Sequence, residues 1–507
     1  MASPLQSTES GNILKLEVFS NKVNETRDLS AGVVICDYFE SILDNTIRFN
    51  IVIQDSGSDS SGSDSAKAAI YALKLSGSEK VHLTIEDRDK NRMKFEGDNA
   101  LYISEVRNIV SSAETTLYTL DLVSREFIAN DLMACEVYRR YDGKISDSAS
   151  AILNDILKTK KSIILDGTSN TYNFIGQGKK PFTLLAEIAT KGVPATSENT
   201  AGYFIYETYD GFNFRSIDAL FEEAPYKSYI YNSSTELPNG YNGKIISYDG
   251  DNSINVEKNL KSGAYGVKLE TNNTYTQIFS TTQQVTSSEQ KTHGGKEIPS
   301  LAVDFDGFAI GGALVSKRVM RNDDIGGMQS GSVTEQIEKG REQNLKLEDV
   351  IAQSQMTYNK LFTLQVTVVV AGDYTLRAGQ TVHCDFPEQS AKEETSIDKE
   401  LSGVYLISDI CTHLTPKTTL TKMRLVRDSH GRTSNKTPAA QGSSSTNNGG
   451  LFSNASTDSS QLNGKTSNAT PTQDSTVVDR TPRDLTPTER RQGIDRRGTD
   501  IRGGNFR

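Results

Sequence analysis

The sequence has no tryptophan and only 5 histidines and 4 cysteines in 507 residues. The cysteines, Cys36, Cys135, Cys384 and Cys411, form no CxxC pair. Four in a chain of this length do not build a disulfide scaffold, so they read as scattered, mostly buried, reduced thiols of a protein made in a cytoplasm. Long hydrophobic runs are missing: Phe308–Val315 and Val366–Ala371 are far too short to span a bilayer. The polar start, MASPLQSTESGN, lacks the charged and apolar regions of a signal peptide. Neither signal-directed secretion nor stable membrane insertion is expected. A basic excess is missing too. The chain carries 65 acids against 55 bases, a net −10, which disfavours a general binder of nucleic acid or membrane surfaces. What is present is 20 tyrosines, 39 glycines and a 35% apolar content, a mix that fits strands, turns and long polar segments better than a helical bundle.

The pattern along the chain divides it into six stretches. Residues 1–12 are a loose polar leader. From 13 to 130 apolar side chains alternate, as in Ile47–Ile53, in Val81-His-Leu-Thr-Ile85 and at Tyr118, Leu120 and Leu122. A period of two means one buried and one wet face, as in an antiparallel sheet or barrel. Residues 131–230 form a small α/β insertion. Ser146–Leu157 and Phe182–Lys191 have helical spacing, the second opened by Pro181. Tyr203–Tyr206 and Phe212–Ile217 read as strands joined at Asp210-Gly211. Residues 231–358 are a turn-rich middle segment, with short strands at Lys244–Tyr248 and Tyr265–Glu270 and a helix over 343–360. Alternation resumes at Leu361, and 359–428 forms a second β-domain. From Asp428 on, eleven bases against eight acids give +3, leaving −13 for the body, and the composition collapses to Ser, Thr, Asn, Gly, Gln and Pro. The tail 429–507 is expected to be disordered when alone.

One self-similarity stands out. Tyr102-Ile-Ser-Glu-Val106 followed by Thr115-Thr-Leu-Tyr-Thr-Leu-Asp-Leu-Val123 matches Leu406-Ile-Ser-Asp-Ile410 followed by Thr418-Thr-Leu-Thr-Lys-Met-Arg-Leu-Val426. The connecting segments, 107–114 and 411–417, differ by one residue. Two strands with a short connection form a hairpin, so one hairpin type closes two separate β-domains. Two similar domains per chain allow three chains to present six similar units in a closed ring.

Catalytic and metal chemistry finds little support. The loop Asp55–Ser65 lacks the Asp/Asn spacing and terminal Glu of a calcium loop and reads as a solvated hairpin tip. Gly176-Gln-Gly178-Lys179-Lys180 lacks phosphate-loop spacing and reads as a turn before a helix. Cys411 and His413 share a face of their strand, and His383 or Cys384 would complete three ligands if the strands pair. Zinc sites show closer punctuation, so ordinary barrel packing is the reading. Asp304 and Asp306, with Asp249 and Asp251, read as acidic turns rather than paired catalytic carboxylates. With no Ser/His/Asp or Cys/His arrangement, no enzyme, cofactor or metal is expected. In the tail, Arg490, Arg491, Ile494, Arg496, Arg497 and Ile501 alternate with Asp495 and Asp500. They form either a basic linear segment that orders on a partner or a solubilising end; both readings stay open.

The strongest stretch for a family resemblance is Lys360–Asp428. Leu361–Val370 leads into Gly372-Asp373-Tyr-Thr-Leu376-Arg-Ala-Gly379-Gln-Thr-Val382, and Leu401-Ser-Gly403-Val-Tyr405-Leu-Ile407-Ser-Asp409 follows. These stretches, with Pro181–Ile217 and Ile245–Phe279, resemble the central baseplate hub protein of contractile-tailed phages. That family also includes late-control tail proteins and the hub part of type VI secretion spikes. The resemblance covers roughly 15–428 and omits the loop 55–65 and the tail. It implies a mainly β (α+β) fold: two tube-like antiparallel β-barrels and an α/β insertion per chain, trimerising into a pseudo-six-fold ring. It implies a structural baseplate hub in the virion tail, assembled in the host cytoplasm. The hub would join a hexameric tail tube to a trimeric cell-puncturing spike and leave a channel through which DNA only passes. Other baseplate proteins and the tape-measure protein are further expected partners. Gly372, Asp373, Leu376, Gly379, Gly403, Tyr405 and Ile407 are then structural positions. The alternatives are the hub of a type VI-like spike, or a tail-associated peptidoglycan hydrolase.

Overall fold

The computed structural model describes residues 11–57, 67–112, 114–197, 200–232, 236–251, 256–273, 278–285, 292–295, 315–321, 332, 334, 347–388 and 397–431. The chain divides between Gln441 and Gly442, and every described residue lies before that division. The tail beyond 431, most of the leader and Asp304–Gly307 lie outside the described residues.

The first β-domain is built from β1 (Asn12–Phe19), β2 (Thr26–Asp28), β3 (Val33–Ser41), β4 (Arg48–Asp55), β5 (Lys80–Glu86), β6 (Arg92–Phe95), β7 (Leu101–Ser111) and β8 (Thr116–Ser124). Its main strands are ordered β1-β5-β7-β8-β4-β3, with β2 on β1 and β6 on β5. Period-two alternation places Phe49, Ile51 and Ile53 of β4 in the interior with Leu83, Leu120 and Leu122. The seam between β1 and β3 is bridged by a single 3-10 turn, Ser30–Gly32, where the Leu29 amide donates to the Leu16 carbonyl at 2.8 Å.

The insertion follows. Its strands are β9 (Arg140–Tyr141), β10 (Ile163–Leu165), β11 (Phe174–Ile175), β12 (Tyr203–Thr208) and β13 (Gly211–Ser216), ordered β10-β13-β12 with a separate β11-β9 pair. Helix Pro181–Ala189 starts on its proline, as the sequence predicts, and buries Leu184, Leu185 and Ile188. Helix Ile145–Ala151 continues as a π-helical turn, Ile152–Ile156.

The remaining strands are β14 (Lys227–Ile230), β15 (Gly243–Asp251), β16 (Gly266–Asn273), β17 (Ile278–Val285), β18 (Lys317–Arg321), β19 (Leu364–Ala371), β20 (Thr381–Asp385), β21 (Gly403–Leu414) and β22 (Thr419–Arg427). Six of them, β20-β14-β15-β19-β22-β21, close on themselves as a barrel because β21 pairs with both β20 and β22. Its interior holds Tyr229, Ile245, Val366, Val368, Tyr405, Ile407 and Leu425. Two of these strands were expected elsewhere. Lys227–Ile230 was read as insertion and 243–251 as middle segment, yet both complete the second barrel. Each gives that core a single side chain, Tyr229 and Ile245, too little to show period two in the sequence. The acidic run Tyr248–Asp251 is therefore strand, not turn. Strand β14 is parallel to both its neighbours, and the dozen residues 231–242 supply the crossover that a parallel pair requires.

Among the described residues, the later strands of the middle segment, β16, β17 and β18, form a separate sheet outside the barrels. Leu269 of β16 and Leu347, Ile351 and Ala352 of the helix Leu347–Leu361 share a core with the insertion. Among the described residues there are four apolar clusters: one per barrel, one in the insertion, and one where these parts meet.

Five strands of the first barrel recur in the second in the same chain order and pairing. In the first, β5-β7-β8-β4-β3 run antiparallel; in the second, β20-β21-β22-β19-β15 do the same. One register serves throughout. Tyr102↔Val123 and Ile103↔Leu122 correspond to Leu406↔Val426 and Ile407↔Leu425. A register shift then falls at Ser104 in one hairpin and Ser408 in the other. A second shift falls at Val34 between β3 and β4 and at Ile246 between β15 and β19. A β-bulge re-aims a strand and is unlikely to recur twice at matched positions in unrelated hairpins. The one-residue difference between the connecting segments is a further bulge in β7, between Arg107 and Val110, where Asn108 adopts φ 54°.

Candidate functional site

The barrels are fused by one ladder. Strand β3 of the first pairs antiparallel with β21 of the second, from Asp409↔Ser41 to Leu414↔Cys36. Side chains reinforce it: the Ser41 hydroxyl donates to Asp409 at 2.6 Å, and His413 Nδ1 meets Asp37 Oδ1 at 2.5 Å. A single sheet thus runs from one barrel into the next.

Beside this ladder lies the turn 372–380, which carries the motif residues. Gly372 sits where a Cβ would lie 2.3 Å from Thr419 Cγ2. Asp373 is buried, pairs with Lys227 and accepts from the Thr375 amide at 3.0 Å. Leu376 enters the second core. Gly379 has φ +85°, and a Cβ there would lie 2.0 Å from the Tyr206 hydroxyl of the insertion. Its amide donates to the Ile407 carbonyl at 2.9 Å. Gly403 has φ +146° and packs against the Arg427 guanidinium, which stacks 4.4 Å from the Tyr405 ring centroid. Tyr405 and Ile407 are fully buried. The seven positions thus shape the second barrel and its contact with the insertion.

The same turn carries charge between the parts. The carboxylate of Glu40, on β3, accepts from the amides of Ala378 at 2.8 Å and Tyr209 at 2.9 Å. Burial pushes its carboxyl upward, opposed by the nearby Arg377 guanidinium. Arg377 reaches Asp210 at 3.0 Å and lies 4.9 Å from the Tyr209 ring centroid.

Two buried ionic joints went unseen in the sequence. Lys161 of the insertion contacts Glu207 and lies 3.2 Å from Glu126, which follows β8. Glu207 also accepts from the Ser124 hydroxyl at 2.7 Å and the Ile47 amide at 3.2 Å, tying insertion to first barrel. Burial raises the Glu207 carboxyl and Lys161 opposes that rise. The second joint is His293. Its Nε2 meets Asp218 on the helix Ile217–Glu222, and its Nδ1 lies 2.8 Å from Asp428, just past β22. Burial alone would lower this imidazole, but hydrogen bonds to the two carboxylates prevail and raise it to about 9. The local signal was only His293-Gly294-Gly295, a turn-forming triplet in which Gly294 has φ +95°.

Other sequence candidates are not brought together. Cys384 pairs with Gly403 at one end of β21, whereas Cys411 and His413 lie eight and ten residues further along it, some ~26 Å or more away at strand rise. His383 meets Asp385 at 3.1 Å. Lys179 and Lys180 are taken by Glu187 and Asp131. Asp55 accepts from the Ala69 and Gly57 amides, closing the base of a loop whose tip, 58–66, lies outside the described residues. Among the described residues no three His, Cys, Asp or Glu side chains gather as a metal site. Arg490, Arg491, Ile494, Arg496, Arg497 and Ile501 lie outside the described residues.

No family model matches the chain, and no curated protein matches it by sequence. The chain is similar to several solved structures. A tail protein of Neisseria meningitidis MC58 is 14% identical, with 82% of this chain and 96% of that one covered at a TM-score of 0.45. The 43 kDa tail protein of prophage MuSo2 from Shewanella oneidensis is 11% identical, with 82% and 98% covered at 0.45. An Escherichia coli component of the type VI secretion system is 9% identical, with 84% and 80% covered at 0.38.

Proposed function

We propose that this chain is a structural, non-catalytic hub of a contractile phage tail baseplate. It acts as a homotrimer whose six barrels form a ring between a hexameric tail-tube ring and a trimeric spike, with a central channel for DNA. The observation that carries this reading is the repeat. Two barrels of one register, two matched bulges and one shared sheet are what a chain needs to offer a six-fold partner equivalent seats from three copies. The motif positions from Gly372 to Ile407 serve by holding the second barrel to the insertion, so that the two seats stay at a fixed angle. The tail segment from Arg490 to Ile501 is assigned to docking on a neighbouring baseplate protein.

The test is negative-stain class averaging of the full chain, alone and with its neighbouring spike protein. Rings with six peripheral lobes and a central hole are expected. Monomers alone, even with the spike present, would remove the hub assignment.

A further inference from the structure

The junction inside the chain has a half-built counterpart outside it. In the shared register, β21 corresponds to β7 and β3 to β15. Within the chain, Asp409–Leu414 of β21 is covered by β3, and its residues alternate between buried and half-buried. The corresponding half of β7 is bare. It pairs with β8 on one edge and meets β5 only at Leu101 and Tyr102, and Arg107–Ser111 are all exposed. Ile109 and Val110 show 47% and 63% of their surface to solvent. Strand β15 shows the complementary deficiency. Ile245–Asp251 pairs with β19 on one edge, while β14 covers only Gly243 and Lys244. Ile246 and Tyr248 are exposed where the corresponding parts of β3 are partly or fully covered. Among the described residues no strand lies along either outer edge. A long bare edge with β-branched side chains is an association surface unless something covers it.

We infer that the covering strand is supplied by a second copy of this chain: β7 of one protomer pairs antiparallel with β15 of the next, repeating the β3–β21 ladder between chains. This deepens the hub reading and rests on it. The register follows by transfer. His413↔Asp37 becomes Val110↔Asp249, Leu414↔Cys36 becomes Ser111↔Tyr248, and Cys411↔Phe39 becomes Arg107↔Asp251. The extra bulge at Asn108 falls between the paired stretches. The interface is head-to-tail, each chain giving a β7 edge and receiving on a β15 edge. Alternating internal and external ladders of one geometry therefore close a ring and leave neither of these two edges bare.

The experiment is site-directed disulfide formation in the full chain. Adjacent antiparallel pairs alternate between wide and close kinds, so one of V110C/D249C and S111C/Y248C is a close pair suited to a disulfide. On oxidation, that variant should run as covalent dimer and trimer on a non-reducing gel. V110C/I246C, three residues out of register, should stay monomeric, as should each single variant. Amide exchange on the unmodified chain gives an independent reading that needs no substitution: Glu105–Ser111 should exchange at least tenfold more slowly in the assembled state than in dilute monomer. Light scattering separates the two layers of the proposal. A trimer in which neither pair links and Glu105–Ser111 stays unprotected overturns this edge and leaves the hub reading standing. A chain that stays monomeric and unlinked overturns both.

Discussion

His293 should make the fold weaken as the solution turns alkaline. Its imidazole is buried between Asp218 and Asp428, and those carboxylates raise it from 6.5 to about 9. Unfolding returns it to its ordinary value. A group whose folded pKa is raised contributes stability that is fully present below the unfolded value and disappears as pH climbs through the folded one. The window is therefore pH 6.5 to about 9. Each unit corresponds to about 1.4 kcal/mol, so the contribution is roughly 3 kcal/mol, all of it held below pH 6.5. Replacing the residue adds a second effect. In H293Q two buried carboxylates face each other without their cation, a loss of about 3–5 kcal/mol near pH 6. The assay is thermal or urea unfolding of wild type and H293Q at half-unit steps from pH 6 to 10. The wild-type curve should fall across the window while H293Q stays flatter, so the two converge. Parallel curves with a constant gap would refute the charged clamp and leave His293 as a packing residue only.

Three further substitutions probe the joints. G379A sets a side chain at φ +85° and 2.0 Å from the Tyr206 hydroxyl; it should cost about 2 kcal/mol or more in a denaturant titration. Y206F in the same background should return part of that loss, and additivity of the two changes would deny the contact. K161M strands Glu126 and Glu207 in the interior and should cost about 3–5 kcal/mol at pH 7. Because burial raises Glu207, the loss should shrink below pH 5 and in K161M/E207Q, which unfolding midpoints at pH 4.5 and 7 will show. Deleting 432–507, which keeps the buried Ser429 on the Gly295 amide, should leave ring formation intact but weaken binding to a neighbouring baseplate protein, measured by co-sedimentation; undiminished binding would assign the tail to solubility alone.

Where pattern and partner are local, the chain was readable. Helix Pro181–Ala189 begins on its proline, and the hairpin β7–β8 could be matched to β21–β22 because each carries its bulge inside the recurring Ile-Ser-acid motif. Where the partner is distant, it was not. The barrel-closing strands β14 and β15 each contribute one core side chain, and their neighbours β20 and β19 lie more than a hundred residues away. His293 has no neighbour in sequence to announce it, since Asp218 and Asp428 are 75 and 135 residues distant. The resemblance marks Gly379 only as a structural position; that it makes room for Tyr206 appears only once the insertion is in place.

The two versions of the bulged strand carry this one step further. Asp409–Leu414 places Ile410, Thr412 and Leu414 inward and is covered by β3 on its outer edge. Glu105–Ser111 loses that alternation, and the structure leaves every residue from Arg107 to Ser111 exposed. A strand whose equivalent is buried in the same chain, yet which is itself bare, is not an irregular end of the fold. Its missing periodicity follows from the bulge at Asn108 and from the lack, among the described residues, of a strand along its outer edge, and β15 is bare in the complementary way. The places where intrachain reasoning fails are thus concentrated on the two edges that a repeated ladder would join, which is where selection for assembly rather than for folding should leave its mark.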